Sequence, residues 1–171
     1  MTAEALVLRG RVAAKLGDNI DTDIIYPGRY LNVTDREKTP EHLFELAYPE
    51  IRGQIRPGDF IVAGKNFGCG SSREQAAAAL KFTGAGGVIA VSFARIFFRN
   101  AINLGLPAVV SATAVERLEA GDELEVDLTA GAIRKAGAVE AIAAAPLDPR
   151  AAELLAGGGL IPYLKKKYAA R

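Results

Sequence analysis

The sequence predicts an α/β fold with a parallel βαβαβ centre and additional β strands. Three observations lead there. Between residues 60 and 110, short apolar runs alternate with longer helical patterns, the arrangement that sets parallel strands side by side with helices crossing between them. Those runs are apolar throughout instead of alternating, as strands covered on both faces require. After Ser111 the helical patterns shorten and an alternating run follows, which adds β structure beside that centre.

Taken in order, residues 6–16 are rich in Val and Leu and form a first strand, ending in the turn cluster Gly17-Asp18-Asn19. Asp21-Thr22-Asp23 precedes Ile24-Ile25-Tyr26, and Pro27-Gly28 breaks the chain. The polar, aperiodic stretch 29–38 is expected to be a long loop, a segment type that often carries function. Thr39-Pro40-Glu41 has the form of an N-cap, a first-turn proline and a first-turn acid, so a short helix is expected through Leu43, Phe44, Leu46 and Ala47. The centre reads as strand 60–63, helix 72–82, strand 88–91, helix 93–103 and strand 107–110. Beyond it come a short helix at 113–118, a turn at Gly121-Asp122 and a strand at 123–128. One or two antiparallel strands lie within 133–143. A short helix at 150–155 and a glycine hinge at 157–159 lead into a last helix, 160–168.

At 171 residues, half of them hydrophobic and 24% charged, the chain suits one domain, 1–171, with a real core. Its formal net charge of +1 and lack of a basic stripe argue against nucleic acid as a partner. Lys165-Lys166-Lys167 is the one basic run, and a helix C-terminus is its expected home. A single cysteine rules out an internal disulfide and a cluster ligated by this chain's own cysteines; a single histidine, His42, argues against a histidine triad. No signal peptide or membrane span is visible, so a cytoplasmic, membrane-free protein is expected.

Chemistry concentrates at Gly64-Lys65-Asn66-Phe67-Gly68-Cys69-Gly70-Ser71-Ser72-Arg73-Glu74-Gln75, between a strand and a helix. Helix starts carry unpaired N–H groups and partial positive charge, so they favour anions. The stretch lacks the lysine of a P-loop, the third glycine of a dinucleotide fingerprint and the G-x-S-x-G of a nucleophile elbow. A capping box between Ser71 and Glu74 is the purely structural alternative. It leaves the three glycines at 64, 68 and 70, the paired serines and the arginine without a reason.

These residues resemble the signature of the aconitase-type swivelling-domain family, and within it the small subunits of the isopropylmalate isomerase branch. Gly17-Asp18-Asn19-Ile20-Asp21-Thr22-Asp23 and Ser92-Phe93-Ala94-Arg95-Ile96-Phe97-Phe98-Arg99-Asn100 agree with it, so the resemblance spans roughly residues 8–112. It implies a swivelling β/β/α domain that closes over a large partner subunit holding a [4Fe–4S] cluster. The implied reaction moves a hydroxyl between adjacent carbons of a 2-hydroxy or 3-hydroxy dicarboxylic acid by dehydration and rehydration. No cofactor or metal is expected on this chain alone.

Carried onto this sequence, the resemblance makes Ser71 the base, Asp23 an active-site aspartate with a turn or cap role as its alternative, Arg73 the carboxylate clamp and Ser72 a helping donor. The loop containing Tyr30, Leu31, Asn32 and Val33 corresponds to the region that selects the substrate's side group. Leu31 and Val33 suit an isopropyl group. Arg29 or Arg36 would instead suit the extra carboxylate of a homoaconitase substrate. Gln75 stands where many bacterial relatives carry histidine, which keeps that second reading open. A non-catalytic anion-binding module is the alternative from outside enzymology.

Overall fold

The computed structural model describes residues 6–169. Its framework is a seven-stranded mixed sheet in the order β4-β3-β2-β1-β5-β6-β7. β1 (Val7–Lys15), β2 (Phe60–Ala63), β3 (Gly87–Ala90) and β4 (Ala108–Val110) are mutually parallel. β5 (Glu123–Asp127), β6 (Ala132–Lys135) and β7 (Ile142–Ala143) continue the sheet antiparallel from β1. The parallel centre and the added antiparallel strands therefore stand as the sequence indicates, with two strands in the 133–143 region.

β1 belongs to both halves, and its sequence shows it. Val7–Arg11 pair with β5, and residues there are alternately exposed and half-buried because one sheet face is solvated. From Val12 onward the strand pairs with β2, and Val12, Ala13 and Ala14 are all buried. β2 and β3 are buried at every position, as parallel strands under two covered faces must be.

Two apolar layers lie on opposite faces of the sheet. Ile61, Ala63, Val88 and Ala90 point into one, with Ile25, Phe44, Phe67, Leu80 and Phe97. Phe60, Val62 and Ile89 point into the other, with Leu118, Val126, Ile133 and Leu154. The first layer is closed by α1 (Thr22–Ile25), α2 (Pro49–Gln54), α3 (Glu74–Phe82) and α4 (Arg95–Leu104); α5 (Ala112–Arg117) and α6 (Pro149–Ala156) close the second. α7 (Leu160–Ala169) ends the described chain with Lys166 and Lys167 in its last turn, where lysines complement the dipole. Ala76 to Leu80 are all buried, and alanines let α3 approach its neighbours closely. No helix among the described residues is long and apolar enough to cross a membrane.

Three local expectations are corrected. The stretch 29–38 is not one open loop, because 3₁₀ turns occupy Gly28–Tyr30 and Arg36–His42. Asp35, not Thr39, caps the second by accepting from Glu37 N at 3.1 Å; Thr39 is buried and its hydroxyl donates to the Arg36 carbonyl at 2.6 Å. The helix expected through residues 43–47 is absent, since Phe44 takes a left-handed φ of 55° with its ring fully buried. α1 and α2 were not legible: each has only one turn or little more, too short to show a period.

Candidate active site

The C-terminal ends of β1, β2 and β3 deliver three segments to one place, the usual position of ligand sites in parallel sheets. Backbone hydrogen bonds join them. Gly64 N donates to Gly17 O, Asn19 N to Lys65 O, Gly68 N to Ile20 O and Thr22 N to Cys69 O, all at 2.8–3.0 Å. On the other flank Phe67 N donates to Ser92 O and Ala94 N to Phe67 O. The segments 17–22, 64–69 and 91–94 thus form one hydrogen-bonded unit.

Phe67 anchors that unit. Its ring is fully buried and meets Phe93 and Phe97 edge-on, with centroids 6.0 and 5.2 Å away; burial of such a ring contributes about 1.5–3 kcal/mol. Gly68 is required next to it. It adopts φ 79°, and a Cβ there would stand 2.2 Å from Cγ of Phe97.

The turn then exposes its serines. α3 begins at Glu74, with Arg73 at the N-cap position and no side chain capping it. The Ser71–Glu74 capping box is not formed: the Glu74 carboxylate accepts from Arg36 instead. The hydroxyls of Ser71 and Ser72 are exposed and have no partner among the described residues. Nor do the N–H groups of Ser71, Ser72, Glu74 and Gln75 have a backbone acceptor there. The local chain is fixed by Thr22, whose hydroxyl donates to Ser71 O at 3.1 Å. A preorganised set of free donors beside an exposed hydroxyl is suited to stabilising negative charge on oxygen.

Asp23 and Arg73 are brought together across 50 positions of sequence. The Asp23 carboxylate accepts from the Arg73 guanidinium, and the same oxygen accepts from Gly28 N at 2.9 Å. The bond from Arg73 is the largest cause holding the Asp23 carboxyl below its ordinary range; the Gly28 bond adds to it and burial opposes it. Asp23 has 61% of its side-chain surface exposed, Arg73 only 15%. Gly28 closes over the pair, since a Cβ there would lie 3.1 Å from Arg73 Nη2. The cap role foreseen as an alternative for Asp23 falls to Asp21, which accepts from Ile24 N at 2.8 Å.

The loop from Tyr30 to Val33 is held from beneath. Tyr30 stacks on His42, and its hydroxyl donates to Glu45 Oε1 at 2.8 Å; Arg29 donates to the same oxygen at 2.9 Å. His42 Nδ1 lies 2.9 Å from Glu45 Oε2. Together these donors keep Glu45 below the usual carboxylate range, the His42 contact contributing most and Tyr30 next. Leu31 and Asn32 are exposed, and Val33 lines a small cleft of about 240 Å³ with Arg36 and Gln75.

Ser71, Gly68 and Gly70 line one side of an open cleft of about 610 Å³; Ala94, Arg95, Ile96, Phe98 and Arg99 line the other. Arg95 and Arg99 were not singled out in the sequence, although they stand in the Ser92–Asn100 block; arginines on an amphipathic helix give no signal of their own. Among the described residues no group of three or more His, Cys, Asp or Glu side chains converges on a point. The single cysteine, Cys69, is half-buried.

Residues 7–113 match the family model of the aconitase C-terminal domain. The chain is 47% identical to the 3-isopropylmalate dehydratase small subunit of Moorella thermoacetica, over 95% of its length and 97% of the relative's. It is also 47% identical to the methanogen homoaconitase small subunit of Methanothermobacter thermautotrophicus, over 94% and 92%. A crystal structure of 3-isopropylmalate dehydratase from Methanocaldococcus jannaschii superposes with a TM-score of 0.87 at 42% identity, covering 96% of this chain and 97% of that one. The chain belongs to the aconitase C-terminal domain family.

Proposed function

We propose that this chain is the small subunit of a 3-isopropylmalate dehydratase, a hydro-lyase that interconverts 2- and 3-isopropylmalate in leucine biosynthesis. It works as one swivelling domain in the cytoplasm with a large subunit, and a [4Fe–4S] cluster on that subunit supplies the Lewis acid for the leaving hydroxyl. The names of the relatives support the activity.

Ser71 is the base: its oxygen takes the carbon-bound proton of the substrate. Serine is a weak base at neutral pH, so its alkoxide needs fixed donors in place beforehand. The unbonded N–H groups at the start of α3 and the nearby Arg73 are the available ones. Arg73 clamps a substrate carboxylate with the guanidinium nitrogens that Asp23 leaves free. Asp23 orients Arg73; a carboxyl held ionised in this way is a poor proton acceptor. Ser72 donates to the substrate.

One observation favours isopropylmalate over a homocitrate-type substrate. Arg29 and Arg36, the side chains suited to an extra carboxylate, are ion-paired with Glu45 and Glu74. Leu31 and Val33 are then left to meet the side group. A site built to read a carboxylate would reject an apolar analogue strongly. The test is to reconstitute the chain with its large subunit and compare kcat/KM for isopropylmalate and homocitrate-type substrates. Preference for isopropylmalate is expected, and a strong preference for the tricarboxylic acid would overturn the assignment.

A further inference from the structure

Two guanidinium groups beside the serine turn have no task in this scheme. Arg95 and Arg99 lie one helical turn apart on α4, and both are exposed. Neither has a hydrogen-bond or ion-pair partner among the described residues. Arg29, Arg36 and Arg73, the other arginines around the site, each meet a carboxylate.

Their placement costs helix stability. Arg95 is the first residue of α4, where positive charge opposes the dipole, and no acid occupies the first turn to offset it. Like charges at i and i+4 repel as well. Ile96, between them in sequence, is 42% exposed. A local arrangement that breaks several rules at once, beside a functional group, is expected where a binding partner compensates it.

The exposure of Ser71 points to that partner. Expelling water strengthens the interactions that stabilise an alkoxide, yet the cleft leaves Ser71, Arg95, Ile96 and Arg99 open to solvent. Whatever covers Ser71 must seat on this same wall. Arginine beside exposed aliphatic surface is the composition of a protein contact. The two guanidiniums also differ from Arg73, which is mostly buried and oriented by Asp23, as recognition of a small carboxylate requires.

We propose that Arg95, Ile96 and Arg99 form a docking surface for the large subunit, seated against acidic side chains on it. The inference rests on the subunit reading given above. The contact closes the cleft over Ser71 and sets the salt dependence of assembly.

The test uses the double variant Arg95→Gln/Arg99→Gln and the intact large subunit. Binding is measured by calorimetry at low and high salt, and turnover by titrating small subunit to saturation. We expect an apparent Kd raised about tenfold or more at low salt and a weakened salt dependence. KM for isopropylmalate should be unchanged at saturation. The isolated variant should melt no lower than the wild type, since it loses two unfavourable charges. Unchanged assembly would refute the proposal, and unchanged assembly with a raised KM would identify a substrate subsite instead. Failure of the wild-type chain to assemble at all would overturn the subunit reading, and this inference with it.

Discussion

The ring of Tyr30 lies parallel to that of His42, with 3.5 Å between centroids and 8° between planes. The contact joins the 3₁₀ turn that starts the side-group loop to the end of the next one. Glu45 completes the link by accepting from Tyr30 and Arg29 and meeting His42. Since an ionised carboxylate can only accept, Nδ1 of His42 is the donor in this contact.

Glu45→Ala should therefore loosen the loop without touching the base. The expected outcome is a rise in KM of about 2–10-fold, the worth of one or two hydrogen bonds, with kcat little changed. Glu45→Gln, which keeps an acceptor for Tyr30, should fall between the two. Steady-state kinetics of the reconstituted enzyme would decide it, and a kcat loss at constant KM would show that the network acts elsewhere.

Asp23 should titrate below the ordinary carboxylate value of about 3.9, because Arg73 stabilises its ionised form. The sign follows. A depressed folded pKa gives stability that is fully present above the unfolded value and is lost as pH falls through the folded one. The pair thus contributes nothing to pH dependence near neutrality. NMR titration of the Asp23 carboxyl should find it low, and Arg73→Gln should move it upward. A normal value in the wild type would show that the pair does not persist in solution.

Ser71→Ala is expected to cut turnover by about 10²–10⁴-fold, the usual worth of a proton-transferring group. Stability should change by less than about 0.5 kcal/mol, as for a surface site, because the hydroxyl has no partner within the described chain. Assembly should also persist. Thermal melts and a pull-down with the large subunit separate a chemical defect from a folding defect.

Gly68→Ala and Gly137→Ala make a matched pair. Both positions have positive φ, 79° and 78°, but a Cβ at Gly137 meets nothing within 4 Å, while at Gly68 it runs into the Phe97 ring. Gly137→Ala should cost only the backbone term of about 1–2 kcal/mol. Gly68→Ala adds about 1–3 kcal/mol of overpacking. Denaturant midpoints that fail to separate would mean that the turn relaxes away from Phe97.

The parallel centre was legible because β2 and β3 are apolar at every position, with Gly64 closing the first and Gly86-Gly87 opening the second. The serine turn stood out because no simpler motif accounts for it, and the roles proposed for Ser71 and Arg73 come from the family resemblance. The pairing of Asp23 with Arg73 was not: it depends on Gly28 closing over both, a contact that no sequence period encodes. The 43–47 region misled because Leu43, Phe44, Leu46 and Ala47 have helical spacing, yet the Phe44 ring is fully buried with its backbone left-handed. Arg95 and Arg99 carried no sequence signal, since their meaning lies in the acids they lack.

The hydrogen-bonded unit of segments 17–22, 64–69 and 91–94 has one more consequence. Asp23, Ser71 and Arg95 all extend from it, so none can be repositioned alone. In the proposed assembly, opening or closing would carry the aspartate, the serine and the arginines together. Substrate access would then follow how far one subunit tilts from the other, with the proposed chemistry on this side wholly in place or wholly withdrawn.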